Sequence, residues 1–324
     1  MNITRRQMTV VACAVALMAC VPARAQPRYP AKPVKFVVPF APGGGTDAMA
    51  RLVAQKLTEK QGYTVVVENK AGAGGNLGAE AALREPADGY TLLVISSSYA
   101  VNAVLSKPSF DPMNAIEPVI QFSREPVALA VGASTPYTTL AELVAAAKAT
   151  PDKLAFGSSG VGGLAHMAAE YFNAQAGIKI THVPYKGTGA ALVDLAGGQI
   201  QVLMAGTNSF TALAKAGKLR LLAVGAPQRL ATLPGVPTFA EAGMPLYRAD
   251  IWHGLVAARG TPADIINKLN ADINAVLRSP EVLARLAQDD VAAAGGAPQA
   301  FGDVIRSDLE RWRAVVRQSN IKLD

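Results

Sequence analysis

The chain has 324 residues, of which 50% are hydrophobic, 17% charged and 6% aromatic. That composition excludes a disordered chain and supplies core enough for one large or two medium domains. The formal net charge of +7 is scattered along the chain, so it gives no argument for nucleic acid as a partner.

The first residues read as a targeting segment. Arg5-Arg6 form a basic start, Met8 to Val21 an apolar stretch, and Ala23-Arg24-Ala25 an A-x-A cleavage signal. The expectation is a signal peptide over 1–25, cut after Ala25. Thr4-Arg5-Arg6-Gln7-Met8 faintly resembles a twin-arginine signal. Leu17-Met18-Ala19-Cys20 faintly resembles a lipoprotein box, in which Met18 fits poorly. Both cysteines, Cys13 and Cys20, fall inside this segment, so the mature chain would hold no thiol, disulfide or cysteine metal site. Removing the three arginines of the leader from 31 basic residues leaves 28 against 24 acids, a balance of +4. No later stretch has the apolar length needed to span a bilayer, and the expectation is an exported, soluble protein.

Gln26–Pro33 is a proline-rich lead-in. Val34–Val38 is a branched apolar run suited to a buried strand. Pro39 to Pro42 breaks it, and Gly43-Gly44-Gly45 forms a turn without side chains that can approach a ligand closely. Thr46 or Asp47 can cap a helix carrying Met49, Leu52, Val53 and Leu57 on one face. Strand, glycine turn and helix start together direct main-chain N–H groups and a positive dipole end at one spot. With no Lys or Arg between Phe40 and Asp47, this stretch suits a carboxylate held by main-chain donors, or else a tight connection in which glycine serves geometry only. Thr64–Glu68 is the next strand, followed by a second glycine loop, Asn69 to Asn76, and a helix over Leu77–Arg84. Thr91–Ile95 is a third strand, ending in Ser96-Ser97-Ser98, and ligands of open α/β sheets gather at such strand ends. Val127–Val131 is a strand, and Thr139-x-x-Glu142 is a capping box opening a helix over Leu140–Ala149.

The pattern then repeats. Leu154–Phe156 leads into Gly157-Ser158-Ser159-Gly160-Val161-Gly162-Gly163 and a helix through Phe172. Ile180–Val183 leads into Pro184-Tyr185-Lys186-Gly187-Thr188-Gly189 and a helix through Leu195. Ile200–Met204, Leu219–Val224 and Gly254–Ala257 read as strands. Thr261-Pro262 caps a helix with Ile265, Ile266, Leu269, Ile273, Val276 and Leu277 facing inward, and two more helices begin near Pro280 and Pro298. Strands alternating with helices predict mostly parallel sheet flanked by helices. Two such lobes would face each other across a cleft, where small ligands bind.

Several motifs invite other chemistry. Gly160-x-Gly162-x-x-Ala165 matches a dinucleotide fingerprint, but the acid expected about twenty residues later is missing. A nucleophile elbow would need a second glycine where Val161 stands, and His166, His182 and His253 show no triad spacing. His166 and Glu170, at i and i+4, could share a metal but lack further ligands nearby. Tyr185-Lys186-Gly187-Thr188 offers a phenol, an ammonium and free backbone at a helix start, or a plain solvated loop. Trp252 beside His253 is either a cleft element or core.

Motifs in fixed order carry a resemblance. Tyr29-Pro30-x-Lys32-Pro33, Val37-Val38-Pro39-Phe40-x-Pro42-Gly43-Gly44-Gly45-Thr46-Asp47 and Glu68-Asn69-x-x-Gly72-Ala73-Gly74-Gly75-Asn76 are followed by Pro86-x-Asp88-Gly89-Tyr90-Thr91-Leu92, His182-Val183-Pro184-Tyr185-Lys186-Gly187 and Leu233-Pro234-x-Val236-Pro237-Thr238. From Tyr29 to Lys322 the chain resembles the substrate-binding proteins of tripartite tricarboxylate transporters, the Bug receptors. The resemblance implies a two-lobed, Venus-flytrap periplasmic binding fold of type II with a hinge of two crossing strands. It implies lobe 1 over 26–126 plus 252–324 and lobe 2 over 127–251. It further implies a monomer in the periplasm that binds a small organic carboxylate without cofactor or catalysis and delivers it to a two-component membrane permease.

Carried over by position, the contacts are Ala41, Gly43, Gly44, Thr46 and Asp47 of the first loop, with Asp47 a cap and water-orienter. Gly74 and Asn76 follow from the second loop and Ser96, Ser97 and Ser98 from the third strand end. The other lobe supplies Ser158, Ser159, Gly162, Tyr185, Lys186 and Gly187. Many relatives carry Phe-Asp-Asn after the strand matching Ile200–Met204, where this chain has Ala205-Gly206-Thr207-Asn208. That departure argues against an ammonium-bearing ligand and leaves Asn208 or Ser209 as an uncharged contact. The other reading of the whole chain is an exported hydrolase or transferase acting on a small carboxylate; a surface adhesion module is a third.

Overall fold

The computed structural model describes residues 29–106, 108–185 and 187–319; the signal segment and Lys186 lie outside them. Tyr29–Lys32 is irregular, and the described residues from Pro33 onward form one compact unit.

The opening unit folds as its pattern requires. β1 (Val34–Val38) is buried at four of its five positions. α1 (Gly45–Gln61) turns Met49, Ala50, Val53, Ala54 and Leu57 inward, each large apolar side chain contributing ~1.5–3 kcal/mol by leaving water. It ends at Gly62, whose left-handed φ of 71° lets its N–H reach the Leu57 carbonyl. The helix begins two residues earlier than a Thr46 cap requires. Gly44 is the N-cap, and the Asp47 carboxylate folds back to accept the Gly43 N–H at 2.9 Å. β2 (Val65–Asn69), a 3-10 turn at Ala73–Gly75 and α2 (Asn76–Leu83) follow. β3 (Thr91–Ser96) passes directly into α3 (Ser97–Leu105), so the serine triplet starts a helix instead of ending in a loop.

β4 (Ile116–Gly132) is a single 17-residue strand, far longer than the five residues its apolar run suggests. α4 (Leu140–Ala149) carries the expected capping box, Thr139 Oγ1 accepting the Glu142 N–H. β5 (Ala155–Ser158), α5 (Leu164–Ala176), β6 (Thr181–Pro184), α6 (Thr188–Ala196) and β7 (Val202–Gly206) repeat the strand–loop–helix unit. A 3-10 turn (Thr207–Phe210), α7 (Thr211–Lys215) and β8 (Leu219–Val224) precede β9 (Asp250–Ala258). α8 (Ala263–Leu277), α9 (Pro280–Ala287), β10 (Ala292–Gly295) and α10 (Pro298–Ser319) close the chain. Thr261 does not cap α8: its hydroxyl donates to the Ala258 carbonyl, and Pro262 is the N-cap.

The strands run in the order β2-β1-β3-β9-β4-β7-β5-β6, with β10 and β8 also paired to β4. The ladders β2-β1-β3 and β6-β5-β7 are parallel. β9 and β4 run antiparallel to each other and to their outer neighbours. β4 belongs to both halves of the sheet. Its Ile116–Pro126 portion pairs with β9, and Val127–Gly132 pairs with β7 and β8. α10 packs on β4, α3 and α5, and its buried Asp308 accepts the indole N–H of fully buried Trp252 on β9 at 2.7 Å.

Candidate functional site

Residues from both parallel ladders and both crossing strands line one cavity of ≈ 320 Å³. Gly45 and Thr46 come from the start of α1, Ser96–Ser98 from the start of α3, Gly163–Ala165 from the start of α5 and Thr188 from the start of α6. The first N–H groups of a helix have no partner within it and carry its positive dipole end. Four helix starts on one cavity make a site for negative charge. Ser159 and Ser209 raise the hydroxyl-bearing lining residues to seven, and among the described residues the lining includes no lysine or arginine.

Local chemistry explains why the loops hold still. Asp47 is 3% exposed, and its carboxylate accepts from Gly43 N–H, Arg51 Nε and Asn69 Nδ2, each at 2.9 Å. The Arg51 hydrogen bond above all, together with those from Gly43 and Asn69, holds its acid at about 2 despite burial. At the end of β5, Ser158 is fully buried; its hydroxyl accepts the Gly160 N–H and meets His182 Nε2 at 2.6 Å. The Gly162 N–H donates to His166 Nδ1 at 3.1 Å, which Gly162 reaches with a φ of 74° that favours glycine. The His166 and His182 rings stack at 3.8 Å, and the Phe156 ring lies 4.9 Å from His182 and 6.1 Å from His166. Desolvation pushes both imidazoles down to about 4.

Thr46, Ser96, Ser97, Ser98, Ser159 and Ser209 are therefore brought together in the cavity, and the other expected contacts among the described residues are not in its lining. Ala41, Gly43 and Gly44 form the turn ahead of it. Asp47 is spent on Arg51 and the loop. Gly74 gives its carbonyl to Asn102 Nδ2, and Asn76 donates to Ser106. Ser158 and Gly162 are committed to the two histidines. Tyr185 donates its phenol to Asp194 at 2.7 Å and packs on an apolar cluster. Gly187 is the N-cap of α6, and Asn208 sends its N–H to Glu125 and accepts from Ser209. His166 Nε2 lies 3.8 Å from Glu170, and no cluster of three metal-ligating side chains occurs among the described residues.

Two lining residues come from outside every glycine loop. Glu125 of β4 is 7% exposed, and burial pushes its carboxyl up to about 7. His253 of β9 meets Ser123 Oγ through Nδ1 at 3.1 Å, and desolvation pushes it down to about 4. Their signal in the sequence was polar residues interrupting otherwise apolar crossing strands. Larger hollows, of ≈ 350 Å³ beside Lys215 and ≈ 710 Å³ beside Asp152, gather no comparable set of helix starts.

A mixed α/β fold with anion-binding helix starts gathered from both halves of the sheet defines a periplasmic binding protein. Solved structures agree. A periplasmic transporter is 40% identical at a TM-score of 0.76, covering 91% of this chain and 100% of its own. An R. palustris protein solved with adipate is 35% identical at 0.77, covering 91% and 99%. MatC from Rhodopseudomonas palustris with bound malate is 31% identical at 0.74, covering 89% and 100%. Among curated relatives, Protein BugT of Bordetella pertussis is 36% identical over the full length of both chains. The family described as "Tripartite tricarboxylate transporter family receptor" matches residues 49–321, and this chain belongs to it.

Proposed function

We propose that this receptor captures a small organic carboxylate in the cavity between its helix starts. A lobe over 26–126 plus 252–324 and a lobe over 127–251 close on the ligand, which is then passed unchanged to a two-component permease. The supporting observation is the convergence of the starts of α1, α3, α5 and α6 on one cavity whose described lining includes no lysine or arginine. Main-chain N–H groups and hydroxyls would hold the carboxylate, and Lys186 and Asn208 remain proposed contacts. The adipate and malate carried by two similar proteins fit the same donor chemistry. Closure follows from ligand contacts made to both lobes only in the clamped state. Export through a leader cut after Ala25 would place the mature monomer in the periplasm.

An exported hydrolase is the competing reading. Ser158 and His182 meet at 2.6 Å, but the serine is fully buried and its partner imidazole is committed to a stack, which favours a structural role. Thermal unfolding against adipate, malate and monocarboxylates separates the readings. Saturable stabilisation with the ligand recovered unchanged supports capture, and consumption of the ligand overturns it.

A further inference from the structure

Glu125 raises a charge problem that the proposed carboxylate site has to solve. Its carboxyl lies on β4 where the strand leaves one half of the sheet for the other, in the lining of the cavity. It fills the space beside Gly206, where any β-carbon would collide with Oε1. Its Oε1 accepts the Asn208 N–H at a long 3.4 Å. The charged groups acting on it are Asp289 and Asp290, both acids. Neighbouring Arg124 turns to Asp250 at 3.3 Å. His253, the other titratable group of the described lining, is neutral at ordinary pH. Among the described residues an ionised Glu125 would therefore stand without a counter-charge in the cavity lining, and burial accordingly pushes it up to about 7. A carboxylate ligand would add a second negative charge to the same enclosure, and two neighbouring carboxyls resist ionising together.

We propose that Glu125 enters the complex as a neutral acid whose O–H donates to an acid group of the bound carboxylate, so that capture takes up a proton from solvent. The inference rests on the carboxylate reading above and deepens it. No covalent bond changes; the proton resides on Glu125 in the complex and returns to solvent with release. A ligand group that prefers an anion, such as an ammonium, would be disfavoured at the same place. The apparent affinity then scales with the fraction of receptor in which Glu125 is protonated.

The test is calorimetric titration of the full mature protein with adipate at pH 6, 7 and 8. Each titration is run in two buffers of different ionisation enthalpy, so that proton uptake is read directly. The expected result is uptake approaching one proton per ligand at pH 8 and affinity falling about tenfold from pH 6 to pH 8, given titration near 7. Glu125→Gln, which keeps a donor and cannot ionise, should bind without proton uptake and with no slope over that range. A flat wild-type profile with no uptake overturns the inference, as does a Glu125→Gln protein that keeps the slope. Tighter binding of an amine-bearing analogue at pH 8 also overturns it. Failure of adipate, malate and a monocarboxylate to bind at any pH would overturn the proposed function as well, an outcome separate from binding without proton coupling.

Discussion

The imidazole of His253 closes on Gly45 across the cavity. A β-carbon on Gly45 would stand 3.6 Å from His253 Nε2, ordinary contact distance. Gly45 is the first residue of α1 and has no left-handed backbone, so alanine fits there. Gly45→Ala should leave stability within about 0.5 kcal/mol. Gly45→Leu should fill the mouth of the site and weaken adipate binding at least tenfold with the fold kept. Thermal unfolding and calorimetry on both variants check this.

Asp47 should act on stability through acid. Its folded-state acid lies at about 2 against an ordinary 3.8, so its contribution is complete above pH 4 and disappears as pH falls through 2. Asp47→Ala should cost about 1–2 kcal/mol at neutral pH, a figure held down by the half-exposed Arg51. Its stability should fall less steeply than wild type between pH 4 and 2. Denaturant unfolding across that window gives the answer.

The stacked pair His166 and His182 has the same sign at higher pH. Desolvation lowers both from an ordinary 6.5 to about 4, so folding favours the neutral rings. That stability is present above 6.5 and drains away as pH falls towards 4. His182→Phe keeps the stack on Phe156 while stranding the Ser158 hydroxyl. It should be less stable at pH 7 by about 1–2 kcal/mol, yet decline less between pH 6.5 and 4. Equilibrium unfolding of the two proteins at both pH values decides it.

Trp252 holds β9 to α10 through Asp308, which also meets Arg311 at 3.1 Å. Trp252→Phe leaves the buried carboxyl short of a donor, at a cost of about 1–3 kcal/mol. Because neither residue lines the cavity, adipate affinity should stay within about threefold. Chemical unfolding and calorimetry read the two effects separately.

Much of the architecture was legible where local signals agree with one another. The branched run Val34–Val38 and the Thr139–Glu142 capping box gave β1 and α4 with their observed ends. In the sequence β4 shows only as the short run Val127–Val131, because Ser123-Arg124-Glu125-Pro126 interrupts its apolar pattern. It extends through them because β9 pairs along Ile116–Pro126 and carries it across. α3 has no distinct mark in the sequence, because Ser96-Ser97-Ser98 suits a strand end as well as a helix start. Within the site, the sequence marks the glycine loops and the hydroxyl-rich strand end, and so points to Thr46, Ser96–Ser98 and Ser159. Glu125 and His253 reach the cavity from crossing strands, and only pairing register across more than a hundred residues brings them there. Gly162 and Ser158 look like ligand contacts in the sequence because buried histidines and anions ask for the same donors.

The most direct measurement is a crystal structure of the protein with adipate. The account predicts carboxylate oxygens about 2.7–3.2 Å from main-chain N–H groups at the starts of both α1 and α5. Adipate held by only one of those helix starts, or seated outside the cavity altogether, would contradict it.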